Sequence, residues 1–423
     1  MNLSLKSPTI RNTLVYAITD GLCKGITFIT LPIISYYLIP EELGIAANFD
    51  VLQQIIMLLA GQAIVNAIPF FYYKRSHEEV AQLLSSIILM IVVSCFLFSL
   101  CIILFTNTIT EYLHITIGLQ LLAILATLAN LVTSMNLVVF RLEEKPYQFA
   151  LMQIVQVLVY VSTLYLLVVK FRLGAEGKIY SMVLAFTLVS FYHLYLLGKR
   201  RYLTIKIDKK EIVTLLKFGI PLLPHSLSFW FKSGFDKILL TKFCGLAVNG
   251  LYSMALSFGN IYMLFLMAFL NAYTPNLQKR ISEMNEETEK KEKRWMVKSS
   301  YLLGCVFIAL SVIVIVVCKF LMAFVLDSKY NDSFQFIPWI LISLSIYAFY
   351  TIITQFVYTS KKTFSLGIIT FSCSIGQLLL TYILLEKLGV DGIKISIVAG
   401  QLFAMLAVWF YSARVYPLPW FKK

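Results

Sequence analysis

Lys232 and Asp236 stand four residues apart inside GIPLLPHSLSFWFKSGFDKILL (219–240), a stretch otherwise long and apolar enough to cross a membrane. On an α-helix that spacing places a cation and a carboxylate on one face, and at about 100° per residue His225 joins them within about 40°. Pro221 and Ser228 flank the same stripe. Near the amino terminus Asp20 and Lys24 repeat the spacing, in a narrow arc that also takes Thr13, Tyr16 and Thr27. The segment 44–70 adds Asn48, Asp50, Gln53, Gln54, Gln62 and Asn66. A charged side chain near a bilayer centre costs about 2.5 to 3.5 kcal/mol on insertion scales, so such groups face a polar cavity or a partner.

Two uses fit these residues. They can line a water-filled cavity and handle an ion or polar substrate there. Alternatively, Asp20 with Lys24 and Lys232 with Asp236 simply neutralise each other and hold the bundle together. His225 reads equally as a proton carrier or as a polar contact at a proline kink, and Asp50 as a cavity group or an interfacial cap. Lys237 points about a third of a turn away and is expected to snorkel to the interface. Pro221 and Pro224 each remove a backbone hydrogen bond, which a membrane helix tolerates where protein or water covers the freed carbonyls.

The elements that must carry these groups follow from composition. Of 423 residues, 59% are hydrophobic and 14% charged, which excludes an ordinary water-soluble domain. Twelve apolar runs, each long enough to span about 30 Å of hydrocarbon as a helix, lie near 10–38, 44–70, 81–106, 112–140, 149–169, 176–198, 212–240, 246–276, 296–320, 335–358, 362–385 and 392–415. The first carries Asp20 and Lys24 and lacks a compact apolar region with a cleavage site, so it reads as a retained span and not a signal peptide. The net charge of +14 is distributed as a topology signal. Twenty-four Lys and Arg fall in one set of alternate loops and eight in the other, which places both termini in the cytoplasm and argues against a nucleic-acid binder. The basic loops can also meet anionic headgroups.

The chain reads as two halves. LGAEGKIYSMV (173–183) and LGVDGIKISIV (388–398) share Leu, Gly, an acidic residue, Gly, Ser and Val in register, 215 residues apart, and turns ending at Gly44 and Gly250 stand 206 apart. This predicts an all-α polytopic fold of two parallel six-helix lobes, 1–205 and 206–423, divided in the basic loop KRRYLTIKIDKKE (199–211), with spans one and seven equivalent. Substrate then binds between the repeats. The loop 278–298 is expected to be a solvated helical extension, with Glu286, Glu287 and Glu289 each four residues before a lysine. Seven cysteines without C-x-x-C spacing or a partner His read as small apolar side chains, not a metal site. No Walker loop, G-x-S-x-G or H-E-x-x-H is present, so no cofactor, metal or catalytic set is expected.

FGIPLLPHSLSFWFKSGFDKILL followed by NGLYSMALSFGNI (249–261) resembles spans seven and eight of the Wzx-type polysaccharide flippases, in the multidrug/oligosaccharidyl-lipid/polysaccharide (MOP) exporter superfamily. Phe218, Gly219, Pro221, Asp236, Lys237, Gly250, Leu251, Tyr252 and Ser253 carry the likeness, and LIPEELG (38–44) and the two LG-acid-G turns are similar to its other landmarks. Lys237 stands where the family usually has arginine, which argues against a bidentate phosphate contact there.

The resemblance implies a V-shaped pair of lobes alternating between inward- and outward-open states in the cell's inner (cytoplasmic) membrane. The implied cargo is a polyprenyl-pyrophosphate-linked oligosaccharide for surface polysaccharide such as O-antigen or capsule, and polymerases or glycosyltransferases are the implied partners. On that reading Lys24, Lys232 and His225 face the anionic cargo, Asn48, Gln54, Gln62 and Asn66 its sugars, and Asp20, Asp50 and Asp236 gate or couple to an ion. The competing readings are a cation-coupled drug or metabolite antiporter of the same superfamily, a membrane enzyme of polysaccharide assembly, and a scaffold for that machinery. The short outward loops offer no constellation for the enzyme.

Overall fold

A bilayer cannot satisfy backbone N–H and C=O groups, so an apolar chain of this length must fold into helices that bond internally. The computed structural model describes residues 8–420, with side chains from Arg11 onward apart from those of Thr13, Lys24, Thr27, His225, Phe229 and Ser233. The helices are α1 (Pro8–Tyr37), α2 (Pro40–Met57), α3 (His77–Leu113), α4 (Ile117–Leu142), α5 (Pro146–Leu164), α6 (Gly174–Lys199) and α7 (Lys209–Gly219), then α8 (Leu223–Ser233), α9 (Phe235–Cys244), α10 (Leu246–Ser282), α11 (Glu289–Val325), α12 (Ile337–Thr359), α13 (Thr363–Leu388) and α14 (Val390–Val415). Beyond Met57, α2 continues through a wider turn at Leu58–Gln62 and short helical pieces to Tyr72. A similar turn, Tyr165–Lys170, extends α5.

Eleven of the described helical stretches are long and apolar enough to span a membrane, and the stretch 209–244, bent by 41°, makes a twelfth when counted as one broken span. Its break follows Pro221 and contains Pro224, the residues that interrupt the hydrogen-bond ladder. Eleven of the twelve expected spans are thus present as single stretches, and the bent stretch falls on the remaining one, 212–240. The chain divides into two compact units, residues 1–230 and 231–423.

In each unit one long helix turns a row of large apolar side chains outward: Val93, Phe96, Leu100 and Leu104 on α3, and Leu302, Val306, Ile313 and Phe320 on α11. In water such rows would drive association; in a bilayer they face acyl chains. The loop 278–298 is helical at both ends but interrupted, since α10 ends at Ser282 and α11 starts at Glu289. Of its three expected pairs only Glu289 with Lys293 closes among the described residues (2.6 Å), while Arg280 reaches Glu292 (2.9 Å).

The repeated LG-acid-G turns have one physical design. Gly174 and Gly389, at the second position of each, take φ of +53° and +55°, the left-handed region that glycine enters without strain. Gly177 and Gly392, at the fifth, lie so near the preceding helix that an added Cβ would press on the Leu167 and Leu384 carbonyls. At Gly174 a Cβ would also fall on the carboxylate of Glu42, so the start of α6 sits directly against α2.

Outside the membrane-spanning helices, Glu143 ties loop ends of the first unit together. Its carboxylate pairs with Arg200, accepts from the Tyr202 hydroxyl and lies 3.2 Å from Lys145 Nζ. Tyr202 is buried, shares a 3.0 Å hydrogen bond with Tyr72 and packs tilted against His77 with ring centroids 4.4 Å apart. Burial alone would raise the Glu143 pKa, but the Tyr202 hydrogen bond, Arg200 and Lys145 together outweigh it and hold the carboxyl below the usual carboxylate range.

Two predictions follow from these contacts. Ala at Gly174 should lower thermal stability through both the positive-φ penalty of about 1 kcal/mol and the Glu42 carboxylate, and the loss should be smaller in a Glu42→Ala background; an equal loss in both backgrounds would refute the Glu42 contact. Because the folded Glu143 pKa is depressed, its contribution is present above the ordinary carboxylate pKa and lost as pH falls through the folded value. Glu143→Gln should therefore cost on the order of 2 kcal/mol at neutral pH, and its melting curve should converge with wild type in acid.

Candidate functional site

The tight turn at Gly174 has a consequence one helical turn later. With α6 held against α2, Lys178 Nζ reaches 3.9 Å from Asp50 Oδ2, with the lysine side chain 15% exposed and the aspartate 31%. Tyr160 of α5 lies in the field of both. Lys178 is thus an intramembrane cation, although by sequence it counts only among the outward-loop charges. The signal that could have found it is its place five residues after Leu173, already inside the helix that the turn begins.

Asp20 likewise meets a residue from another helix. Arg141, in the last turn of α4, donates to its Oδ2 at 3.3 Å, with both side chains nearly half exposed. The guanidinium also lies over Phe149 at 4.5 Å, and Tyr16 packs edge-on against that ring at 5.1 Å. The Lys24 side chain lies outside the described residues, so its pairing with Asp20 is not described.

The amides expected on one polar face separate. Asn48 is wholly buried and donates to the Leu113 carbonyl at 2.8 Å, fastening α2 to the end of α3. Gln54 and Asn66 are exposed, and Gln62 is half-buried with its Oε1 enclosed and unbonded. Gln62 and Asn66 follow the break at Gly61, where an added Cβ would come within 2.8 Å of Ile91. The interruption lets α2 pass close to α3 and gives the residues beyond it a new rotation.

In the second unit Lys232 and Asp236 lie on either side of Gly234, whose backbone stays in the right-handed helical region (φ −90°, ψ −46°). Their i, i+4 spacing does not close into an ion pair within 4 Å; Lys232 Nζ instead approaches Gln401 Oε1 of α14 at 3.5 Å. Asp236 is 2% exposed, its Oδ2 accepts no hydrogen bond, and Lys232 and Thr381 are the nearest groups acting on its charge. Gly400 presses on the Gln377 side chain, where a Cβ would leave no room, and so brings α13 and α14 together. Gln377 Oε1 and Gln401 Nε2 are buried without partners. Lys232, Asp236, Gln377, Thr381 and Gln401 form a polar interior with spare hydrogen-bonding capacity. The sequence reading missed the last three; lone glutamines inside the apolar runs 362–385 and 392–415 were the available sign. His225 lies outside the described side chains. Among the described residues no three His, Cys, Asp or Glu side chains gather as for a metal, and no disulfide joins the cysteines.

The arrangement can hold a cation or an anion in either unit by exchange. Lys178 is shielded from water but matched only by a long ion pair, and Asp236 is buried without a full set of bonds. If the Asp50 contact holds Lys178 in place, Lys178→Met and Asp50→Asn should each destabilise by about 2–3 kcal/mol, because each strands the other's charge, and the double variant should cost less than their sum. Additive losses in a double-mutant cycle of thermal unfolding would refute the pairing.

With the geometry described, the chain can be set beside known proteins. The family model described as "Polysaccharide biosynthesis protein" matches residues 9–280. No curated protein matches by sequence. Among solved structures the chain is similar to a multidrug resistance MATE family transporter of the MOP superfamily in its inward-facing conformation, at 15% identity over 95% of this chain and 96% of that one, with a TM-score of 0.71. It is also similar to the lipid II flippase MurJ in an inward closed conformation, at 14% identity over 94% and 87%, with a TM-score of 0.63. At such identity these likenesses establish the fold, the two-lobe helical architecture of the MOP superfamily. Twelve spans in that fold, together with a family match over most of its length, make the chain a member of the polysaccharide biosynthesis protein family.

Proposed function

We propose that this protein is a flippase that moves a polyprenyl-pyrophosphate-linked oligosaccharide from the cytoplasmic to the outer leaflet of the cytoplasmic membrane, by alternating access and with both termini in the cytoplasm. The observation that carries the reading is the pair of membrane-embedded lysines, one in each unit. Lys178 is held at 3.9 Å from Asp50, and Lys232 has a 3.5 Å contact with a neutral amide. A cation kept at cost in hydrocarbon and matched this loosely is available to an anionic group. Pyrophosphate supplies that group, and a pyrophosphate arriving at Lys178 would exchange with Asp50.

Lys24 and His225, whose side chains lie outside the described residues, are assigned to anionic groups of the cargo, while Gln54, Gln62 and Asn66 supply hydrogen bonds to sugar hydroxyls. Asn48, already bonded to Leu113, supports α2 from within. Asp20 acts through Arg141, and Asp50 through Lys178. The family match supports a role in polysaccharide assembly, and the lipid-linked cargo of MurJ is a precedent on the same fold for a substrate with one end in the bilayer. Polysaccharide polymerases and glycosyltransferases are the partners this role implies.

One observation favours a second component. Asp236, buried with an unbonded oxygen, is suited to taking a proton or cation as the neighbouring Lys232 engages or releases an anion. On this reading ion exchange drives flipping; as the sole activity it would describe a drug or metabolite antiporter.

The test is delivery of lipid-linked glycan to the outer leaflet in cells that depend on this chain. Combined Lys178→Ala and Lys232→Ala should reduce surface glycan to background even when expression is raised so that the amount of folded protein in the membrane matches wild type, while drug susceptibility stays unchanged. Normal delivery by that variant, or a drug-sensitivity phenotype with intact surface glycan, would overturn the proposal.

A further inference from the structure

The linker KRRYLTIKIDKKE (199–211) is fastened at several points and bare between them. Tyr202 is buried against Glu143 and Tyr72, the Thr204 N–H donates to Ser85 Oγ at 2.9 Å, and Glu211 pairs with Arg75 at 2.8 Å. Ser85 lies eight residues into α3, about 12 Å along its axis at 1.5 Å per residue, inside the apolar run that starts at Val80. Thr204 and its neighbour Ile205 therefore sit beside a membrane-spanning stretch and not out in water.

At that level Ile205 is 98% exposed, and Leu203 and Ile207 are exposed on either side of it. The adjoining α7 continues the pattern. Val213 and Leu216 are exposed at helical spacing, while Leu215 is buried on the other side. Such side chains gain nothing from water and are favoured in an apolar surround.

The cations of the linker are equally unclaimed. Arg201, Lys206, Lys209 and Lys210 are exposed, and among the described residues no carboxylate lies within 4 Å of them. Asp208, the nearest acid in sequence, accepts from the Lys210 N–H at 2.9 Å and so caps α7. Exposed aliphatic residues interleaved with uncompensated lysines make a surface that suits the boundary between acyl chains and anionic headgroups.

We propose that residues 203–210 form a lipid anchor: Leu203, Ile205 and Ile207 seat in the acyl boundary of the adjacent leaflet, and Lys206, Lys209 and Lys210 bind the headgroups of anionic phospholipids. The anchor holds the start of α7 at the membrane surface. Its strength follows the anionic lipid content of the leaflet, and the inference is independent of what the protein transports.

Hydrogen–deuterium exchange on the whole protein in nanodiscs tests it. The peptide covering 203–208 should exchange several-fold more slowly in phosphatidylglycerol-containing discs than in pure phosphatidylcholine, and high salt should reverse part of that difference. Near an anionic leaflet each lysine is worth about a fivefold change in the seated-to-released ratio. Lys206→Ser with Lys209→Ser and Lys210→Ser should therefore abolish the lipid dependence, with exchange along α3 unchanged as the check on folding. Ile205→Ser with Ile207→Ser should speed exchange in both lipids. Equal exchange of the wild-type linker in the two lipids, or a phosphatidylglycerol effect that survives loss of the three lysines, would overturn the proposal.

Discussion

Hydrocarbon gives no hydrogen bonds and little screening, so the charged and amide groups that this chain carries into the bilayer look to other helices for their counterparts. Asp50 finds Lys178, Asp20 finds Arg141, Lys232 reaches Gln401, and Asn48 fastens onto the Leu113 carbonyl. Each contact fixes the rotation of the helix that bears it, because turning a helix by a third would expose the polar group to lipid at a cost of several kcal/mol. The large apolar side chains on α3 and α11 are the reverse of the same rule: they face outward because lipid accepts them.

The helices are brought close enough for these contacts by glycine. Gly174 accepts a left-handed conformation and yields its Cβ space to Glu42, which seats α6 on α2; Gly400 yields its space to Gln377, which seats α14 on α13. Backbone permissiveness at a turn thus becomes side-chain chemistry one helical turn later. The polar interior of each unit is left incompletely satisfied, with unbonded atoms on Gln62, Asp236, Gln377 and Gln401. Full satisfaction would make a stable bundle. Partial satisfaction leaves room for water or a ligand group, as a transport pathway requires.

At the other end of the first unit the requirement reverses. Around Glu143 a carboxylate, a guanidinium, an ammonium and two phenols form a bonded cluster at the ends of the spans, and it fixes the linker that follows α6. The linker's aliphatic and basic side chains beyond Tyr202 are held apart from the protein's own core. A rigid base with an unclaimed surface differs from a loop that is merely solvated.

The sequence alone determined the twelve spans, the helical class, the internal repeat and its glycine turns, because apolar length, backbone sterics and the φ that only glycine enters freely are local properties. It also showed that Asp20, Asp50, Lys232 and Asp236 had to be answered by something. What answered them was decided by tertiary structure. The i, i+4 spacing of Lys232 and Asp236 suggested a mutual pair, but Lys232 goes to Gln401 of another helix. Arg141 and Lys178 looked like loop charges, yet each meets a carboxylate from a helix more than a hundred residues away in the chain. Position along a chain says how deep a residue lies in the membrane; which neighbour it faces depends on the rotation and approach of other helices, and those are set only when all of them pack.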